Sequence, residues 1–204
     1  MAETTTPLTP RSPLDAVRVP GNYGTVGPDG PGVRLRERRN LALVAFMASS
    51  GDGDTLGKAA KSGLGLDLPP PNRMSLGDEL SLLFAGQNRW YALAERSDGP
   101  VLCKRLADAL GTKATLADQS HGQTVLELSG PDARAVLAKG VPIDLDPKVF
   151  AVGDVAATSM NHVHILLWRT GLDSYEIMVM RGFARDLWDF LTTMAGEFGY
   201  QIAF

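Results

Sequence analysis

Hydrophobic residues fall in short runs along most of this chain, and turn-forming residues separate the runs. Runs of five to eight residues bounded by Gly, Pro, Asn or Asp are typical of β-strands. The runs that predict strands are residues 41–48, 81–85, 89–94, 124–128, 155–160, 162–168, 175–180 and 200–204. Gly86-Gln-Asn88 lies between two of them and predicts a hairpin, and Asn161 predicts a second tight connection.

Three segments have helical signals. Residues 100–110 begin with a proline and stop before Gly111, and a second helix is expected between Pro131 and Gly140. The third, 182–198, has apolar residues at helical spacing. Its predicted inward face consists of Phe183, Leu187, Phe190, Leu191, Met194 and Phe198.

The segment that follows the first predicted strand is rich in Gly, Asp, Lys and Pro. Residues 49–71 are therefore expected to be a loop with at most a short helical turn at 56–62. Paired strands surround a helix introduced by Gly99-Pro100 in one half and by Gly130-Pro131 in the other. The pattern predicts an α+β fold built from two related sheet-and-helix halves.

Residues 1–39 have a different composition, dominated by Thr, Pro and Gly up to residue 32. Such a segment buries too little apolar surface to fold alone. We predict an extended N-terminal arm over 1–39 and an α+β domain over 40–204, with the arm docking on a partner. The run Arg34-Leu-Arg-Glu-Arg-Arg39 is either a solvated approach to the following strand or a docking patch for an acidic surface.

Composition narrows the functional classes. The net charge is −3 and the pI about 5.6, so no broad positive field favours nucleic acid. A single cysteine, Cys103, precludes an intramolecular disulfide and a multi-cysteine metal site, which fits a reducing compartment. The longest apolar run, 41–48, is far shorter than the roughly 20 residues of a membrane span. We expect a cytoplasmic protein with no membrane and no nucleic-acid partner.

Nucleotide-binding loops are not matched by the glycine-rich segments. Gly51-Asp-Gly53 and Gly63-Leu-Gly65 lack the third glycine of the dinucleotide fingerprint, and neither follows a predicted strand. Gly57-Lys58 lacks the upstream glycine and the Ser or Thr of a P-loop. The sequence therefore predicts no nucleotide cradle.

His162-Val-His164 is the strongest candidate metal site, because alternation along a strand would place both imidazoles on one face. No clear third ligand accompanies them, so we favour polar positions near an edge or subunit surface. Ser120 and His121 are adjacent on the chain and would point to opposite faces, which argues against a nucleophile–base pair. No catalytic, cofactor-binding or metal-ligating residue is predicted.

Two further candidates have structural interpretations. Cys103, beside Lys104, is expected to be a small buried hydrophobe rather than an activated thiol. Asp144 and Asp146 precede Pro147 at a turn, which favours capping of backbone groups over acid–base catalysis.

The second half carries a series of short motifs: Asp118-x-Ser120, Gly130-Pro-Asp-Ala133, Asp144-Leu145 and Phe183-Ala-x-x-Leu-Trp188. With Arg11-Ser-Pro-Leu14, they resemble the gamma subunit of heterotetrameric sarcosine oxidase. The resemblance covers about residues 110–199 and extends more loosely to 41–94. Gly182 departs from the family's Arg-Ser-Phe-Ala, so a weaker helix cap is expected there.

The Asp-x-Ser and Leu-x-Gly-x-Asp-Ala patterns are also similar to the folate-binding domain of aminomethyltransferases, which implies that fold. The resemblance implies a non-catalytic structural subunit that binds no cofactor itself. Its implied partners are the alpha, beta and delta subunits, above all the large alpha subunit. FAD, FMN, NAD and tetrahydrofolate are implied in these partners, in a complex that demethylates sarcosine to glycine.

Three alternatives remain at the sequence level. A related complex acting on another N-methylated amine, such as N-methylglutamate, could use a similar subunit. A stand-alone folate-binding methyl-transfer protein would share the fold, although aminomethyltransferases are much longer. A metal protein using His162 and His164 is the third.

Overall fold

The computed structural model describes residues 11–49 and 53–203. Strands dominate this part of the chain, and the helices lie between them. In chain order the elements are β1 (Gly21–Tyr23), β2 (Val33–Glu37), β3 (Leu41–Ala48), α1 (Gly53–Leu64), β4 (Met74–Leu76), β5 (Leu80–Gly86), β6 (Arg89–Glu95), α2 (Gly99–Leu110), β7 (Ala114–Asp118), β8 (Gln123–Ser129), α3 (Ala133–Ala138), β9 (Val155–Met160), β10 (Val163–Gly171), β11 (Ser174–Met180), α4 (Ala184–Ala195) and β12 (Tyr200–Ala203).

The strands form two sheets. A seven-stranded sheet has the order β1-β12-β2-β8-β11-β10-β9, and a five-stranded sheet has the order β4-β5-β6-β3-β7. Neighbouring strands are antiparallel except for β12 and β2, which are parallel. The fold is α+β, as predicted, and each sheet is associated with its own pair of helices.

Alternation along the strands produces four layers. In β8, Leu126 and Leu128 face a core shared with α3 and α4, whereas Val125 points to the opposite side. On that side the two sheets pack face to face, with Leu43 and Trp168 among the buried contacts. The outer face of the five-stranded sheet packs against α1 and α2. The order of layers is therefore helices, sheet, sheet, helices.

The prediction of an arm ending at residue 39 is wrong for the described part of that segment. Strand β2 lies inside the seven-stranded sheet, between β12 and β8. Its Val33 and Leu35 are fully buried, and so is Leu14. The composition-based argument failed because β2 obtains its buried surface from strands distant in sequence. Residues 1–10 of the predicted arm lie outside the described residues.

The interval 49–71 is also more ordered than predicted. Its described part includes the 12-residue helix α1, which buries Leu56 and Ala60 against α2 and the five-stranded sheet. Three glycines, Gly53, Gly57 and Gly63, lower its intrinsic helix propensity, so tertiary packing supplies the stability that the local sequence lacks. Strands β4 and β7 had no prediction at all.

Local turns agree better with the sequence. The hairpin between β5 and β6 is present, and Asn88 at its turn has a positive φ of 56°. The connection between β9 and β10 consists of Asn161 and His162, both with positive φ, so His162 is a turn residue rather than part of the predicted strand. Helix α4 lies within the predicted 182–198. Phe183 precedes it and is 48% exposed, contrary to its predicted inward position.

Candidate functional site

A cleft opens where the chain crosses from one sheet to the other. Arg38, Arg39 and Asn40 connect β2 to β3, and Asn40 makes the bend with a φ of 59°. Two adjoining cavities of about 400 and 290 Å³ flank this connection. They share the stretch from Glu37 to Leu41 as lining, and we call their union the crossing cleft.

Two arginines in the lining of the crossing cleft form ion pairs with glutamates of neighbouring strands. The guanidinium of Arg38 bridges Glu176, on β11, and Glu95, at the end of β6. It therefore ties the seven-stranded sheet to the five-stranded one. Arg36, on the same face of β2, pairs with Glu127 on β8. Alternation along β2 thus places Arg36 and Arg38 on the face opposite to Val33 and Leu35, which lie in the helix-side core.

The motif Arg11-Ser-Pro-Leu14 acts as an anchor within the chain. The hydroxyl of Ser12 donates to Glu37 and accepts from the N–H of Leu14 at 3.0 Å. Leu14 is buried in the helix-side core, and the carbonyl of Arg11 accepts from the side chain of Arg181. Arg18 lies 3.6 Å from Glu37. These contacts hold the start of the described chain against β2.

The Asp-x-Ser motif also makes internal hydrogen bonds. Ser120 Oγ donates to Asp118 Oδ1 at 2.6 Å and accepts from the N–H of Leu43 at 3.0 Å. Asp118 lies directly over Gly99, where a Cβ would come within 2.0 Å of its Oδ2. The motif therefore joins β7, β3 and the start of α2, and it explains why glycine precedes Pro100.

Some guanidinium groups around the cleft have no acidic partner. Within residues 11–49 and 53–203, Arg11, Arg96 and Arg181 make no ion pair. All three are exposed and line the cleft. Arg39 is only loosely paired, 3.5 Å from Asp15. The rim is therefore positive, whereas the chain as a whole has a net charge of −3.

The two histidines considered as metal ligands lie in different local structures. His162 occupies a turn and His164 lies on β10, so the shared strand face on which the metal hypothesis depended is absent. In the part of the chain that the structure describes, no three His, Cys, Asp or Glu side chains are grouped to hold a metal. His121 is exposed at the cleft, next to Ser120 in the chain. Ser120 is already hydrogen-bonded to Asp118.

The two aspartates have surroundings that match their structural interpretation, whereas Cys103 is only partly buried at the edge of the helix-side core of the five-stranded sheet, not fully buried as predicted. Burial, and secondarily the charge of Asp118, raises the pKa of the Cys103 thiol, which disfavours the reactive thiolate. Asp144 accepts from the N–H of Asp146 at 2.8 Å, and Asp146 accepts from the N–H of Lys148 at 2.9 Å. Both carboxylates therefore cap backbone groups of the turn.

The glycine segments lie in different places from those expected. Gly53 begins α1, which follows strand β3, whereas the prediction was that no strand precedes this glycine segment. Gly51 lies outside the described residues. The next glycine, Gly57, is still one position too late for a dinucleotide fingerprint, and β3 pairs only with antiparallel neighbours. Gly57-Lys58 lies in the middle of α1, and Gly63-Leu-Gly65 at its end.

The crossing cleft itself was missed by sequence reasoning. The partners of Arg38, Glu95 in the cleft lining and Glu176 on β11, are isolated in the sequence and meet Arg38 only when the two sheets pack together. The one available signal was arginine at every second position, Arg34, Arg36 and Arg38, a spacing that places side chains on one face of a strand.

Across the described residues, the model contains no helix with the length and apolar character needed to cross a membrane.

Comparison with known proteins places this architecture in a family. The model of the sarcosine oxidase, gamma subunit family matches residues 50–197. The sarcosine oxidase subunit gamma of Corynebacterium sp. (strain P-1) is 32% identical over 170 residues, which is 83% of each chain. That of Arthrobacter sp. is 34% identical over 147 residues, covering 72% of this chain and 71% of the relative.

Solved structures agree with this relationship. A chain of the heterotetrameric sarcosine oxidase from Corynebacterium sp. U-96, in complex with pyrrole 2-carboxylate, matches with a TM-score of 0.79 and 28% identity. The match covers 93% of this chain and 96% of that one. Aminomethyltransferase T from Bartonella henselae matches with a TM-score of 0.56 and 19% identity, over 86% of this chain and 54% of that one. This second likeness bears on the fold alone and agrees with the aminomethyltransferase-like architecture that was predicted. The relatives are subunits of an oxidoreductase, and this chain belongs to the sarcosine oxidase gamma subunit family.

Proposed function

We propose that this chain is a non-catalytic assembly subunit of a heterotetrameric sarcosine oxidase. The complex oxidatively demethylates sarcosine to glycine in the cytoplasm, with tetrahydrofolate as the one-carbon acceptor. The observation that carries the proposal is the match to a chain of the Corynebacterium heterotetramer over nearly the full length of both chains. The match covers 93% of this chain and 96% of the other, so it extends over the fold as a whole and not over one shared motif.

The cofactors are proposed to reside in the partners. The alpha, beta and delta subunits hold FAD, FMN, NAD and tetrahydrofolate, and this chain contacts chiefly the large alpha subunit. The proposal is supported by the hydrogen bonds that the side chains of the family-like motifs make. The side chains of Asp118, Ser120, Asp144 and Asp146 all make hydrogen bonds within the chain, so they serve the fold.

The test is co-expression of this chain with the other three subunits, followed by affinity purification through a tag on this chain. We expect recovery of a flavin-containing complex that oxidises sarcosine, while this chain purified alone is colourless. Stoichiometric flavin on the isolated chain, or failure to recover any partner, would contradict the proposal.

Two other functions share this fold. A complex acting on another N-methylated amine would be recovered in the same experiment and would prefer, for example, N-methylglutamate in the activity assay. A stand-alone folate-binding methyl-transfer protein would bind tetrahydrofolate as an isolated chain, which calorimetry measures directly.

A further inference from the structure

We propose that the crossing cleft is the docking site for an extended acidic segment of a partner subunit. The inference rests on the proposed function, because it requires that this chain assembles with other subunits. It goes further in naming the surface that is used and the chemistry that the surface recognises.

The lining of the crossing cleft contains more basic than acidic side chains. The lining of the cleft contains seven arginines, Arg11, Arg18, Arg36, Arg38, Arg39, Arg96 and Arg181, against three acidic residues, Glu37, Glu95 and Asp98. Arg36 pairs with Glu127 of the neighbouring strand, and Arg38 pairs with Glu176 and Glu95 across the two sheets. Arg11, Arg96 and Arg181 form no ion pair within the described residues and are exposed, although one nitrogen of Arg181 donates to the carbonyl of Arg11. Guanidinium groups bind carboxylates through two parallel N–H···O bonds, which favours recognition of Asp and Glu side chains.

The placement of these arginines indicates the length of the ligand. Arg96 lines the larger cavity, and Arg11 and Arg181 line the smaller one, with the Arg38–Asn40 connection between them. A single small anion would occupy one cavity at a time. A peptide segment with several carboxylates can lie along both, so an extended acidic chain satisfies all three arginines.

Two large exposed apolar side chains lie close in sequence to Arg181, outside the residues that line the cleft. Met180 and Phe183 flank Arg181 in the chain and are 57% and 48% exposed. Large exposed apolar side chains beside charged ones are typical of the centre and rim of protein interfaces. The occupant is therefore expected to place an apolar side chain next to its acidic residues.

The test uses the co-expressed complex with charge-reversed cleft arginines. In the triple variant Arg11→Glu, Arg96→Glu and Arg181→Glu, we expect this chain to bind its partners at least about tenfold more weakly than wild type. The dependence of the dissociation constant on salt should also become shallower, because fewer opposite charges meet. The neutral triple variant with Gln at the same positions should be intermediate.

Arg134→Glu is the matched control, because Arg134 is exposed on α3 and lies outside the cleft. It should leave assembly unchanged. Circular dichroism checks that each variant is folded. If the triple Glu variant fails to fold, the Gln variant supplies the same comparison.

A photo-cross-linker at position 180 identifies the occupant. We expect Met180→p-benzoylphenylalanine in the complex to label an acidic segment of a partner subunit. A cross-link to a second copy of this chain, or undiminished assembly of the folded triple variant, would overturn the inference while leaving the proposed function intact. Failure of the wild-type chain to assemble would instead count against the proposed function.

Discussion

Ser120 connects elements that are distant in sequence. Its hydroxyl accepts from the N–H of Leu43 on β3 and donates to Asp118 at the end of β7. Replacing Ser120 by Ala leaves the Leu43 N–H without this acceptor, and the expected loss of stability is about 1–2 kcal/mol. Urea denaturation measures the change. Ser62→Ala, on the exposed surface of α1, is the control and should change stability by less than about 0.5 kcal/mol. Equal effects in the two variants would contradict a specific role for Ser120.

Replacing Arg38 should destabilise the protein more than replacing Ser120, because Arg38 neutralises a buried charge. Glu176 is 6% exposed and pairs with Arg38. Arg38→Met removes the guanidinium and leaves this carboxylate buried without it, so we expect a loss of about 3 kcal/mol in unfolding experiments. Adding Glu176→Gln should restore part of that loss.

Arg36→Met provides the comparison on the same strand. The Arg36–Glu127 pair is more open to solvent, so its removal should cost at most about 1 kcal/mol. If Arg38→Met lowered the free energy of unfolding less than Arg36→Met, burial of the ion pair would not explain the size of the loss.

At the scale of elements, α1 and α2 approach each other at Gly63. A Cβ on Gly63 would lie 2.7 Å from the Cβ and 2.9 Å from the Cα of Ala109. Gly63→Ala should therefore separate the helices and destabilise the protein by about 1–3 kcal/mol, despite the better helix propensity of alanine. Gly57→Ala is matched within α1, because nothing lies within 4 Å of its added Cβ. It should stabilise by about 0.5–1 kcal/mol. Thermal unfolding distinguishes these opposite signs.

Strand β2 gives a prediction at the same scale. A chain that starts at Asn40 lacks β2, which separates β12 from β8 in the sheet. We expect this truncated chain to lose its cooperative unfolding transition, whereas one that starts at Arg11 keeps it. Circular dichroism during heating is the measurement. A folded chain starting at Asn40 would show that the arm originally predicted over 1–39 is dispensable.

At the scale of the whole molecule, burial of ionisable groups predicts alkaline sensitivity. Desolvation raises the pKa of Tyr91, Tyr175 and Tyr200 from 10.0 and that of Cys103 from 9.0. The folded state therefore keeps protons that the unfolded chain loses first. This contribution to stability is fully present below about pH 9 and is lost as the pH rises through these values. Urea midpoints should fall between about pH 9 and pH 11, and Tyr175→Phe should reduce the fall. A constant midpoint over this range would contradict the prediction.

The fold was predicted best where contacts are local in sequence. The β5–β6 and β9–β10 hairpins pair strands that are close in the chain, so alternation and a turn residue were sufficient to identify them. Strands β2 and β7 pair with partners that are not their hairpin neighbours. Nothing in their own residues identifies those partners. Strand β2 was therefore assigned to an arm, and β7 was not predicted.

In the candidate site, too, the features that are local in sequence were predicted, and those that depend on distant residues were not. The sequence by itself determined the family resemblance, the α+β class and the capping roles of Asp144 and Asp146, because motif, period and turn chemistry are properties of short segments. Only the tertiary structure decided that Arg38 meets Glu95 and Glu176, that His162 and His164 do not share a strand face, and that a positive cleft lies between the sheets. These features depend on how two sheets stack and where the chain crosses between them, which is set by contacts between residues far apart in the sequence.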